Sequence, residues 1–540
     1  MRYTADMLLT NGRFLTMEDA NPTAEAVAIR AGQILFVGTD AEARKYAGEH
    51  TEVIDLGGRV ASPAFLECHT HPTHLAAVLT KLNCRGENTA SLNALLACIR
   101  ERAAKTPKGE WISATGYDEG SFREGPIPVT SEVLDRAAPE HPLVVSRICG
   151  HVCVLNSLAM RIGGIDEEFL RKNPTVTGFR DENGRLNGQF SNNVKAALHL
   201  PPTPIERLEE GFCEAQEIYL RNGITASSEM SISPDFVHLL QDMNRRGRLK
   251  LRIGFYESAN TKATCQSRPN AAASLALRTG FGDDRLWFLG FKYFLDGAMG
   301  GKTAAVSEPY LGEPDNHGRF ENEQERLNES LLLAIKAGVQ TSVHAIGDLA
   351  VEMALKGYEY AIENGADPRP LRCRLEHLEL PTEDHIRRIR EMGLTVGLSS
   401  AFIYSLGNSH ITAVGQKRLT HAFPAKTLMD AGIPVACNCD CPVCDVNPML
   451  GIYSMVVRKT VTGQSFGGTE ESVDRIRALE AYTKNAAHLL WCDDRLGSLK
   501  AGKCADIVVF EDDFLAVPDD RLKDVRIRMT IQNGEIVYRL

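Results

Sequence analysis

No run of this 540-residue chain approaches the roughly 18 consecutive apolar residues of a membrane span, so a helical membrane protein is not expected. No N-terminal stretch has the basic, apolar and small-residue order of a signal peptide, and the expectation is a soluble, cytoplasmic protein. Basic charge is not in excess either. The formal net charge is −10, which leaves no global field to draw nucleic acid or an anionic membrane, and the expected partner is a small molecule. Internal repeats, low-complexity segments and heptads are lacking, so nothing specifies an assembly, and a homodimer is only the default among oligomers.

Cysteine is not scarce. Fourteen cysteines in a long chain without an export signal read as reduced thiols rather than a disulfide framework. Cys437, Cys439, Cys441 and Cys444 crowd together, but they lack paired C-x-x-C spacing and strand alternation splits them between faces. They read as small packing residues in preference to a structural zinc or iron–sulfur site.

The most informative segment is Cys68-His69-Thr70-His71, which closes the apolar run 60–66. Two histidines at i and i+2 on a strand share a face, so both imidazoles can reach one divalent metal. Three more strand-like runs end in metal-capable side chains: 339–344 in His344, 372–377 in His377, and 433–440 in Asp440.

Between residues 61 and 489, strand-like runs alternate with helix-periodic segments, which argues for βα units and a parallel sheet. Eight candidate strands fall at 61–69, 223–228, 249–256, 288–295, 340–344, 372–377, 394–398 and 434–440. Eight closes a (β/α)8 TIM barrel, whose C-terminal strand ends form the active-site mouth, and the candidate ligands cluster at those ends. The gap after the first strand is too long for one βα unit and predicts an insertion at about 75–205, with a strand of its own at 143–149. Short runs at 1–60 and 490–540, broken by hairpin-type dipeptides such as Asn11-Gly12 and Ala31-Gly32, predict a small β-sandwich domain built from both ends of the chain.

Lys292, in the fourth strand, is a further candidate ligand. An ammonium beside a divalent cation is disfavoured, whereas a neutral amine can take up carbon dioxide and present carbamate oxygens that bridge two metals. An ion pair with a nearby carboxylate is the other reading. Glu376, next to His377, should point to the opposite face and form a structural ion pair. Asp296 is expected to orient Lys292 or cap a loop, and Asp348 to cap the helix after strand five.

The ordered stretches 62–71, 291–297, 344–348, 433–443 and 496–506 resemble the amidohydrolase superfamily, in particular its YtcJ-like and N-substituted formamide deformylase-like branch. The chain departs from that pattern at Ala64, where glycine is usual, at Glu67, and at the end of strand two, Ser228-Glu229-Met230. The resemblance implies a metal-dependent hydrolase of amide-like C–N bonds, an amide or N-substituted formamide, attacked by hydroxide formed on the metal. It also implies that His69 and His71 hold one metal, that His344 and His377 hold the second or sole metal, and that Lys292 bridges or binds directly. The metal would be zinc, one or two per chain, with Lys292 free or N6-carboxylated. Asp440 would be ligand and acid/base, and His151 would face the substrate. A deaminase of a ring amidine and a barrel that binds a metabolite without turnover are the alternatives.

Overall fold

The computed structural model describes the chain except residues 1–3, 85–88, 120–121, 126, 148–151, 175, 192–193, 196–197, 199 and 201–202. Two compact units divide it, one of residues 1–74 and 215–540, the other of residues 75–214.

The larger unit is built on eight parallel strands: β1 (Phe65–Thr70), β2 (Ile224–Glu229), β3 (Arg252–Ser258), β4 (Leu286–Phe294), β5 (Gln340–Ala345), β6 (Arg374–His377), β7 (Thr395–Leu398) and β8 (Val435–Cys437). They follow one another in sequence order around a nearly closed (β/α)8-like barrel. Across the seam, Cys68 Sγ of β1 lies 3.5 Å from the Cys437 carbonyl of β8. Each of the eight predicted runs overlaps one of these strands. They were legible because parallel strands are covered on both faces and read as continuous apolar runs. Helices follow the strands, among them Pro234–Arg245 after β2, Asp348–Glu363 after β5 and Ala401–Val414 after β7.

The barrel interior is polar as well as aliphatic. Arg374 is fully buried, donates to the Cys68 carbonyl at 2.8 Å, and forks onto Glu376. Tyr256 donates to Gln340 beside it.

Two further sheets use both ends of the chain. One orders Gln33–Gly38, Ala26–Arg30, Met7–Thr10 and Glu52–Asp55; the other orders Glu535–Arg539, Ile527–Gln532, Ile507–Phe510, Val60–Pro63, Arg13–Leu15 and Thr23–Ala24. Leu9, Val27 and Ile29 of the first share a buried cluster with Ala61, Ile507 and Ile531 of the second. The run predicted as one barrel strand from residue 61 is therefore two. Val60–Pro63 belongs to the end sheet, and after Ala64 the chain enters β1.

The hairpin signals divide. Ala31-Gly32, with φ of 48° and 77°, does turn Ala26–Arg30 back into Gln33–Gly38. Asn11-Gly12 does not make a hairpin: Met7–Thr10 and Arg13–Leu15 lie in different sheets, and the Asn11 backbone N–H is held by the Asp40 carboxylate.

The smaller unit contains a six-stranded mixed sheet ordered Gly178–Arg180, Leu186–Ser191, Val152–Leu155, Leu143–Arg147, Ile112–Tyr117 and Leu82–Asn83. Separate apolar clusters take alternate residues of Leu143–Arg147, Leu143 and Val145 in one, Val144 in the other, so the sheet is covered on both faces.

Candidate metal centre

The site lies at the C-terminal ends of the barrel strands. His69 comes from the end of β1, Lys292 from β4, His344 from β5, His377 from β6, and His71 and Asp440 from the loops after β1 and β8. His69, His377 and Asp440 are buried, and they bring one ligand atom each within 4.8 Å of one another. This is a metal-binding group of two imidazoles and a carboxylate.

Backbone irregularities aim these side chains. Two residues of β1, Cys68 and His69, oppose one of β2 between Glu67 and Thr70, a bulge that re-aims the strand, so that Cys68 contacts β8 across the seam while His69 reaches Glu376 of β6. His377 and Asp440 sit in the left-handed region, with φ of 70° and 50°. Neither is glycine, and such conformations in non-glycine residues cost free energy that the surrounding packing must offset.

Hydrogen bonds fix the imidazole tautomers. His69 donates from Nδ1 to Glu376 Oε2 at 2.7 Å, which turns Nε2 toward Lys292 Nζ and Asp440 Oδ1, both 3.5 Å away. His377 donates from Nδ1 to Ser399 Oγ at 2.7 Å, and Ser399 passes its own proton to Asn438 Oδ1 at 2.9 Å. The free Nε2 of each ring is the ligand atom, and a carboxylate behind a ligating histidine raises its basicity.

Burial, reinforced by the Lys292 cation and neighbouring histidines, holds His69 and His377 well below the ordinary histidine range. Both rings are therefore neutral, the form that binds metal. Burial likewise brings Lys292 down to about 8, against the pull of Glu376 and Asp440. For His71 burial acts against protonation, but hydrogen bonding to Asp440 and Glu229 outweighs it and lifts the ring to about 10.

His71 and His344 border the group without entering it. His71 Nε2 is 3.2 Å from Asp440 Oδ1, and its Nδ1 is 3.6 Å from Glu229. His344 stacks edge-on to His377 with ring centres 4.4 Å apart, and its Nε2 donates to the Gly297 carbonyl at 3.1 Å. Lys292 is fully buried against His69. His151, expected at the substrate, lies outside the described residues.

Other expectations need correction. Glu376 does not face away from the site: its carboxylate joins His69, Ser342 and Arg374. Alternation fails because His377, at positive φ, turns back toward the same side. Of the two roles expected of Asp296, it does not reach Lys292 but does cap a loop, accepting from the backbone N–H groups of Ala305, Ile346 and Gly347, and it lies 3.3 Å from His344 Nε2. Asp348 is the first residue of its helix, with Gly347 as the cap, and it holds the Ser307 N–H. Glu229, Ser399 and Asn438 were missed as supports. Their only signal was position just after an apolar run. The cysteines behind Asp440 are buried thiols, with burial raising Cys439 and Cys441, as expected of inert packing residues.

The barrel and its buried His/His/Asp group define a metal-dependent hydrolase. The chain belongs to the Amidohydrolase family, whose sequence pattern matches residues 52–538. It is 28% identical to the putative amidohydrolase YtcJ of Bacillus subtilis over 98% of both chains. It is 23% identical to the N-substituted formamide deformylase of Arthrobacter pascens, over 100% of this chain and 99% of that one. An uncharacterized metal-dependent hydrolase from Pyrococcus furiosus has a similar structure, with a TM-score of 0.76 and 25% identity over 94% of this chain and 99% of the other.

Proposed function

We propose that the protein hydrolyses an amide-like C–N bond, with N-substituted formamides as the substrate class, in the cytoplasm. In this reading His69, His71, Lys292, His344, His377 and Asp440 hold one or two zinc ions. The similarity to a formamide deformylase along the whole chain supports the substrate class.

One observation carries the mechanism. Asp440 Oδ1 lies between His69 Nε2 at 3.5 Å and His71 Nε2 at 3.2 Å, so three ligand-type atoms converge on one buried point. In the metal-free chain the His71 proton is the counter-charge of this carboxylate, and a cation among the three groups would take that proton's place. A divalent ion bound there supplies Lewis acidity and brings the pKa of water toward about 7.

Asp440 then accepts a proton from the attacking water on a carboxylate oxygen and returns it to the leaving nitrogen, which departs as an amine. Glu376 keeps His69 Nδ1 protonated throughout, so Nε2 remains the lone-pair atom turned toward the metal position. The buried Lys292 amine supports uptake of carbon dioxide as the carboxylated lysine, whose oxygens would add two donors beside His69.

The test is metal content per chain on protein purified without chelator in bicarbonate buffer, followed by assay of N-substituted formamides for formate and free amine. About two zinc ions and stoichiometric formate support the binuclear form, and one ion the mononuclear form. Ammonia release from a ring amidine would replace the substrate class. No turnover of any amide at full metal occupancy would overturn the reading.

A further inference from the structure

The insertion contains a cleft of about 650 Å3 whose walls carry three cations, Lys81, Arg102 and Arg207. Arg102 gives one N–H to the Thr80 carbonyl at 3.1 Å. Among the described residues, no carboxylate forms an ion pair with any of the three, although exposed lysines nearby, such as Lys105 and Lys108, do find partners. Glu110 also lines the cleft, and the wall keeps a surplus of positive charge.

We propose that this cleft binds a small organic molecule through a doubly charged oxyanion, a phosphoryl group, held by Arg102 and Arg207. Two half-buried guanidiniums converge there, and planar N–H forks match the oxygens of a phosphoryl group. Burial lowers the pKa of Arg102, and the Arg207 cation lowers it further, so the two repel one another in the absence of an anion. Like charges held together out of water are unfavourable by themselves, and an anion between them converts the repulsion into binding. Ser113 adds a hydroxyl, and Trp111 gives a flat wall for an unsaturated part of the same molecule. The volume falls in the range of small-molecule sites. Every residue of this cleft belongs to the insertion and none to the metal centre, so the inference is independent of which C–N bond the barrel hydrolyses.

Isothermal titration of the full-length, metal-loaded protein with inorganic phosphate and phenyl phosphate, against sodium chloride of matched ionic strength, tests the proposal. Both phosphates bind the native protein, phenyl phosphate the more tightly, and Arg102→Gln or Arg207→Gln weakens each by about tenfold or more. In the absence of phosphate the same substitutions leave the melting temperature unchanged or raise it, because one of two repelling charges is gone. Should either arginine variant fail to fold, the exposed Lys81→Gln takes its place and weakens phosphate in the same direction. Absence of binding beyond the chloride control overturns the proposal. So does undiminished phosphate affinity in the variants, which would put the anion at the metal centre or elsewhere.

Discussion

Glu376 and His377 are consecutive residues of one strand, yet both serve the same metal centre, the first through a 2.7 Å hydrogen bond to His69 and the second as a ligand itself. The left-handed backbone at His377 makes this possible.

Replacing Glu376 with glutamine should therefore affect two properties. Metal affinity falls by about 10–100-fold, because His69 loses the anion that orients it. Stability falls by about 3–5 kcal/mol, because Arg374 is left buried without its counter-charge. Zinc titration with a competing chelator and urea denaturation read the two effects separately. Unchanged zinc affinity would reduce Glu376 to a partner of Arg374 alone.

Asp440→Asn keeps the volume of the side chain and removes its proton-accepting charge. Turnover should drop by about 10²–10⁴-fold, while the protein still fills with zinc at saturating metal. Near-normal turnover in a fully loaded variant would remove Asp440 from the acid/base role.

If His71 ligates the metal, as proposed, metal binding is pH-dependent. In the metal-free chain its pKa is raised to about 10, so it carries a proton at neutral pH that a ligating imidazole must lose. Zinc affinity should rise as pH increases from 7 toward 10, by about tenfold per unit, with one proton released per His71. The metal-free fold behaves in the opposite sense. The stabilisation from protonated His71 is whole below about 6.5, the unfolded value, and is lost as pH climbs through 10. Zinc titrations in buffers of different ionisation enthalpy count the proton, and no release at pH 8 would exclude His71 as a ligand.

Arg252 of β3 and Asp506 form a buried pair between the barrel and the sheet made by the chain ends, and Asp506 also accepts the Asn533 N–H at 2.9 Å. Asp506→Ala strands a buried guanidinium and should lower stability by about 3–5 kcal/mol. Guanidinium chloride unfolding measures it, and a loss under 1 kcal/mol would mean that water or Asn533 compensates.

The barrel was readable because a parallel strand writes itself as an apolar run and its catalytic residue as the polar side chain that ends it. His69 and His377 of the metal-binding group were found on that basis. The supports were not readable, because strand alternation is a rule about regular backbone and the site is built where the backbone is irregular. The bulge between Glu67 and Thr70 and the positive φ at His377 and Asp440 occur without glycine to announce them. The same applies at Ala64, where one apolar run conceals the passage from one sheet to another.

That passage bears on how the protein is made. Val60–Pro63 leads directly into the strand that carries His69, yet its antiparallel neighbour, Ile507–Phe510, is translated only after all eight barrel strands. The strand must wait through synthesis of nearly the whole barrel with one edge open, exposed to pairing with other chains. A chain stopped before Ile507 would leave Val60–Pro63, which runs into the strand that carries His69, without that neighbour.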